Sequence, residues 1–256
     1  MSEWVAFVIA MAAACAVVVA VVALRHRQAG VGENVDETPD VIDYITMMIG
    51  VVYAIVLGLA IAGVWEARGA AQDDLFREAQ SLREVSDRAV VYPVEFRDKV
   101  RADVDGYVTY VVNVEWDYMA EHGEITDKGT ELLGKLQEEV ATRAPASDLE
   151  SQAYQPIMDR ISQASDARNQ RGQSAGPTMP GVVWIGLIGG AVVTIGMLFA
   201  LQIRRTTREL VLALCFSVLI AFLLFMIWDF DDPFARSVSV TTQPFQDLFP
   251  SLNLKG

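Results

Sequence analysis

Residues 181–201 read GVVWIGLIGGAVVTIGMLFAL, residues 202–209 read QIRRTTRE, and residues 210–228 read LVLALCFSVLIAFLLFMIW. Neither outer run carries a charge. Each is close to the ~20 apolar residues that a helix rising ~1.5 Å per residue needs to cross a ~30 Å hydrocarbon core. The connecting stretch is too short for anything but an antiparallel return, so the pattern is a transmembrane hairpin. A second hairpin is read at the N-terminus from Trp4–Leu24 and Tyr44–Trp65. Its two runs are joined by Arg25-His26-Arg27 and a Gly-, Asp- and Glu-bearing loop broken at Pro39.

The residues between the hairpins, Glu66–Pro180, hold most of the charge, which is how 52% hydrophobic and 21% charged residues coexist in one chain. The expected organisation is therefore all-α: a four-helix membrane bundle built from two hairpins, with a helical extramembrane domain inserted between spans two and three. The segments are residues 1–65 (spans 4–24 and 44–65), 66–180, 181–228 (spans 181–201 and 210–228) and a C-terminal tail, 229–256. A net charge of -13 argues against nucleic acid, which requires a basic face. Cys15 and Cys215 both fall inside spans and read as small apolar filler. Met1-Ser2-Glu3 has no Lys or Arg, so the first segment is expected to stay as a span rather than leave as a signal peptide.

Within the middle domain, Leu75, Ala79, Leu82 and Val85 keep helical spacing, and Pro93 ends the run. No breaker separates that run from span two, so the two are expected to form one long helix. A second helix is read over Val94–Glu121, with Phe96, Val100, Tyr107, Val111, Val114 and Tyr118 on a face and His122-Gly123 at its end. A third runs from Thr126 to Arg143. A fourth starts at a capping box formed by Ser147 and Glu150 and reaches Arg171, strained at Pro156. Gln173–Pro180 leads back to the membrane.

Small residues recur every four positions at Ala54, Gly58 and Ala62 on span two, and at Gly186 and Gly190 on span three, continued by Thr194. This spacing lets helix backbones approach closely in lipid. The stripes are candidates for intrachain packing or for an oligomer or pore interface. No span holds an ionisable side chain, which argues against a proton-coupled transporter and leaves a passive pore open. Arg25 and Arg27 lie at one end of the first hairpin, and Arg204, Arg205 and Arg208 at the equivalent end of the second. Trp4, Trp65, Trp184 and Trp228 lie at the other interface. The positive-inside rule then places the termini and the helical domain on the non-cytoplasmic side.

Chemistry-bearing motifs are few. Glu115, Tyr118 and His122 share helical spacing, but one His with scattered carboxylates lacks the paired pattern of a metal site. There is no phosphate loop, cysteine pair or nucleophile elbow. No catalytic residue, metal site or cofactor is expected, and the chain reads as no enzyme.

Four stretches carry a family resemblance. They are Phe76-Arg77-Glu78-Ala79-Gln80-Ser81-Leu82, Tyr107 to Glu115-Trp116, Asp166-Ala167-Arg168 with Arg171, and Asp231-Asp232-Pro233-Phe234. Together with the order of spans, insert and tail, they resemble the bestrophin-like domain family over nearly the full length. The chain departs from the family pattern at Asp232, where Arg is usual, and at Arg236, where Gly is usual. The resemblance marks Glu78, Ala79, Leu82, Glu115, Trp116, Arg168, Asp231, Pro233 and Phe234 as signature positions whose role it does not specify. The family is compared with bestrophins, oligomeric anion channels with four spans per subunit and a cytoplasmic middle segment. The aromatic constriction of bestrophin span two has no match among Tyr44–Trp65. The resemblance implies an oligomeric ion channel or passive pore of the cell membrane, in contact with lipid, other copies of itself and small inorganic ions. The alternative is a non-conducting scaffold or sensor that binds a partner through its helical domain.

Overall fold

A computed structural model describes residues 40–199, 207–236 and 240–254. Span one, Cys15, His26, Trp4 and the Arg204-Arg205 turn lie outside the described residues. Every regular element described is helical: α1 (Asp40–Arg88), α2 (Val94–Tyr110), α3 (Trp116–His122), α4 (Asp127–Ala141), α5 (Asp148–Gln173), α6 (Gly181–Met197), α7 (Thr207–Phe230) and α8 (Gln243–Leu248). The fold class is all-α, as the periodicity predicts. Helix α1 is unbroken over 49 residues, span two and the first middle-domain helix in one piece. A 3-10 turn, Ala89–Val91, then leads to Pro93, the N-cap of α2.

The chain divides into two compact units. One comprises the residues up to Trp65 together with Met179–Asp231; the other comprises Glu66–Thr178 and Asp232–Gly256. In the first, α1 and α7 are long and apolar enough to cross a membrane, and α6 is a shorter apolar helix of 17 residues. Tyr53, Leu57, Ala60 and Val64 of α1 form its core with Leu187 and Ala191 of α6 and Ile220, Ile227 and Phe230 of α7. The other faces of these helices, among them Met47, Val51, Ile55, Leu59, Ile185, Val192 and Leu219, are exposed. Water would disfavour so much uncovered apolar surface, whereas hydrocarbon does not.

The structure divides the small-residue stripes. Ala54, Gly58, Ala62 and Gly186 are exposed, and a Cβ added at Gly58 or Gly186 meets nothing within 4 Å. Gly190 alone is a close-approach site: a Cβ there would lie 2.6 Å from the Tyr53 ring. The Tyr53 hydroxyl donates to the Leu187 carbonyl at 2.9 Å, satisfying a phenol that would otherwise be unpaired in the bundle. The buried face is chosen by the largest side chain and its receptor, which spacing of small residues does not encode. Gly190→Leu should displace Tyr53, break that bond and cost about 1–3 kcal/mol. Unchanged thermal stability and particle mass in detergent would show that the α1–α6 seam absorbs the added volume.

The second unit has a larger core. Leu75, Leu82 and Val85 of α1 pack with Val100, Val104, Tyr107 and Val108 of α2, Leu136 and Val140 of α4, and Ile157 and Ile161 of α5. Lys99–Glu139 (2.6 Å) and Lys135–Asp103 (2.7 Å) bridge α2 and α4 at the surface. The C-terminal residues, which read from sequence as a separate tail, contribute Phe234, Val240, Phe245 and Phe249 to the same core.

Two local readings are corrected. The expected capping box is half formed: Ser147 Oγ accepts from Glu150 N at 3.2 Å, but the Glu150 carboxylate accepts from Ala146 N (3.0 Å) and Arg143 (3.4 Å). Arg143 lies over the Phe96 ring at 4.5 Å and draws the carboxylate to itself. The expected single helix Val94–Glu121 is interrupted by a π turn over Val111–Glu115, between α2 and α3. Gly123, at φ 69°, ends α3 as the sequence predicts.

Candidate functional site

The π turn delivers Glu115 to the most polar buried place in the second unit. α5 is a largely polar helix, yet Arg168 and Arg171, one turn apart, point inward and are 1% and 0% exposed. Glu78 of α1 and Glu115 face them, both 0% exposed. Each isolated ion would lose several kcal/mol of hydration on burial, so the cluster holds because its charges are matched and both guanidiniums fork onto carboxylates, although the buried Arg168 Nε finds no partner among the described residues. Two carboxylates meet two guanidiniums.

Glu78 Oε2 accepts from Arg171 Nε at 2.8 Å, and its Oε1 accepts from Arg171 Nη2 at 3.2 Å and from the Tyr107 hydroxyl at 2.5 Å. Glu115 Oε1 accepts from Arg168 Nη1 and from Arg171 Nη2, the latter at 3.0 Å. Its Oε2 accepts from Arg168 Nη2 (2.8 Å), Thr126 Oγ1 (2.6 Å) and Thr126 N (3.2 Å). Arg168 Nη2 also donates to the Thr126 carbonyl at 2.8 Å. Arg171 Nη1 reaches Met119 Sδ at 3.4 Å. Thr126 is the N-cap of α4, its Oγ1 accepting from Gly129 N at 3.4 Å, so the cluster also anchors the start of that helix. Gly129 is what lets α4 come so near: a Cβ there would lie 2.5 Å from Glu115 Oε2 and 2.6 Å from Arg168 Cζ.

Burial pushes the Glu115 carboxyl up, but the Arg168 hydrogen bonds and the charges of Arg171 and Arg168 outweigh it and bring its pKa to about 2. Burial, reinforced by the Glu78 charge, pushes the Tyr107 hydroxyl well above the usual phenol range. Burial pulls the Arg171 guanidinium down, and the Glu78 charge more than reverses that. Glu115 therefore stays ionised and takes no proton near neutrality, and Tyr107 gives none up. The arrangement is a closed lock that ties α1, α2, the π turn, α4 and α5 together.

Of the signature positions, the fold brings Glu78, Glu115 and Arg168 into this one cluster. Ala79 and Leu82 belong to the surrounding core. Trp116 meets Phe234 edge-on at 5.5 Å, and the Pro233 carbonyl accepts from Val240 N at 2.7 Å. Asp231, in the first unit, accepts from Met179 N (2.7 Å) and Trp184 Nε1 (3.2 Å) and so pins the entry to α6. Tyr107, Thr126 and Arg171 are the partners that sequence reasoning did not single out as site residues. Tyr107 and Arg171 lie in stretches that carry the family resemblance, and Thr126 was read only as a helix start. Glu115, Tyr118 and His122 do not converge: Glu115 is buried, while Tyr118 and His122 stack on each other at the surface, 4.2 Å apart. Among the described residues no group of three or more His, Cys, Asp or Glu could hold a metal ion.

Comparison with known proteins yields a family and a fold. A family model for the bestrophin-like domain matches residues 12–245. A crystal structure of a bacterial bestrophin homologue from Klebsiella pneumoniae superposes with a TM-score of 0.66 at 12% identity, covering 98% of each chain. A point variant of the Klebsiella protein gives 0.67 at 12% identity, covering 94% of this chain and 98% of the other. A crystal structure named only as that of a membrane protein gives 0.68 at 13% identity over 95% and 97%. No curated protein matches the chain.

Proposed function

We propose, from the premise that this chain belongs to the bestrophin-like domain family, that it is a subunit of an oligomeric ion channel or passive pore in the cell membrane. The observation that carries this reading is the agreement of fold with bacterial bestrophin homologues from one end of both chains to the other. The small residues Ala54, Gly58 and Ala62 on α1, which the other described residues leave exposed, support a place for another helix, another copy or a conduit on that face. Small inorganic ions are the permeating class, and no enzymatic step is assigned. Ion flux from liposomes holding the purified protein, measured beside its mass in detergent, tests the reading. Flux from a discrete ring-sized particle is the expected result. Tight liposomes with a monomer or dimer would overturn it and favour a scaffold that binds through the helical unit.

The arginine distribution supports an orientation with the helical unit on the non-cytoplasmic side. In a chain with Cys15 and Cys215 replaced by Ala, Ala144→Cys puts a thiol at an exposed position of that unit. A membrane-impermeant maleimide should label it in intact cells. Labelling only after lysis would reverse the orientation and leave the pore proposal standing.

A further inference from the structure

Among the described residues of the second unit, the π turn interrupts a helical run, and it sits where two other features meet. Tyr107, Val111, Glu115 and Met119 are all fully buried. In an unbroken α-helix, the eight residues from Tyr107 to Glu115 would overshoot by ~80° and carry Glu115 off the line. The wider turn absorbs the excess, so Tyr107 and Glu115 reach the same Arg168 guanidinium. π hydrogen bonding is rarer than α and persists in single turns. What opposes a return to α here is the set of five donors that converge on Glu115. The C-terminal segment rests on the same turn: Phe234 packs on Trp116, and Asn113 Nδ2 donates to the Asn253 carbonyl at 3.3 Å.

We propose that Val111–Glu115 is a register switch. In one state the π turn holds Glu115 on the two arginines and Trp116 beneath Phe234. In the other the run from Val94 to His122 closes into continuous α-helix, Glu115 and Trp116 swing by ~80°, and the C-terminal segment loses its seat. The equilibrium moves with whatever favours one register over the other, whether a charge near Arg168 and Arg171 or tension on the C-terminal segment. The device acts within the second unit and does not depend on the pore reading.

Deleting Val114, half exposed and outside the core, separates register from charge. It sets the glutamate seven positions after Tyr107, a separation that an α-helix turns to within ~20° of full register. The deletion should therefore keep the ion pairs without a π turn and remove the second state. Amide hydrogen exchange of the full chain in detergent reads this directly. In the unaltered protein, amides of 111–119 should exchange at least tenfold faster than those of 100–108. Deletion of Val114 should slow them at least tenfold without changing 100–108. Glu115→Gln should speed 111–119 and 240–252 together. Equal protection of 111–119 and 100–108 in the unaltered protein would overturn the switch. So would a deletion that unfolds the unit or leaves the rates unchanged, or a Glu115→Gln effect spread evenly over the unit.

Discussion

Arg171→Met should destabilise the protein by about 3–5 kcal/mol, the cost of leaving a buried charge without its partner. Arg171 is 0% exposed and serves both carboxylates of the cluster, through Nε and Nη2 to Glu78 and through Nη2 to Glu115. Methionine fills much of the same volume but supplies no donor, so Glu78 would retain Tyr107 alone and the cluster would carry an excess negative charge. At ~2–4 °C per kcal/mol for a chain of this size, the apparent Tm should fall by roughly 10 °C. Arg171→Lys should fall between, because an ammonium cannot reproduce the forked donation to Glu78. Pairing Arg171→Met with Glu78→Gln should recover part of the loss, since the uncompensated charge goes with its partner. Thermal unfolding of the full chain in detergent, followed by helical circular dichroism, measures all three. A loss below ~1 kcal/mol for Arg171→Met would mean that water reaches Glu78 and that the cluster is no lock.

The second large effect is an acid-side loss of stability traceable to Glu115. Its folded pKa of about 2 lies below the ordinary value of 4.5. A depressed carboxylate contributes its full stabilisation above the unfolded pKa and loses it as pH falls through the folded one. Glu115 should therefore add no pH dependence between pH 7 and 5, then surrender about 3 kcal/mol between pH 5 and 2. Other carboxylates titrate in the same window, so the informative quantity is the stability difference between the unaltered protein and Glu115→Gln. That difference should be constant down to pH 5 and shrink by about 3 kcal/mol on reaching pH 2. A difference that is flat across the whole range would place the Glu115 carboxyl at its unfolded pKa and dissolve the proposed matching of charges.

Much of the local architecture is legible in the chain. Gly123 ends a helix and Pro93 stands at the start of one, and Thr126 and Ser147 begin helices through hydroxyls that cap the amide three residues on. The absence of a breaker between Trp65 and Glu66 makes α1 one helix. These are nearest-neighbour effects of backbone preference and side-chain reach, so a window of a few residues contains them. The π turn is not of this kind. Val111-Val112-Asn113-Val114-Glu115 holds no residue that forbids an α-helix, and the wider turn forms because Glu115 has somewhere to go.

The same division holds for the site and for the membrane helices. By itself the sequence determined that the chain is all-α, that its apolar residues are segregated into membrane-length runs, and which short stretches resemble the family. Each of these is written in composition and period, which survive without knowing what packs on what. Only the tertiary structure decided that Glu78 and Glu115, on different helices, meet Arg168 and Arg171, and that the C-terminal phenylalanines complete the core of the second unit. It also decided that α1 turns Tyr53 rather than Ala54, Gly58 and Ala62 towards α6. Burial is settled by the sum of long-range partners: a carboxylate goes inside only where donors from other helices repay its lost hydration, and a tyrosine only where a glycine leaves room for its ring.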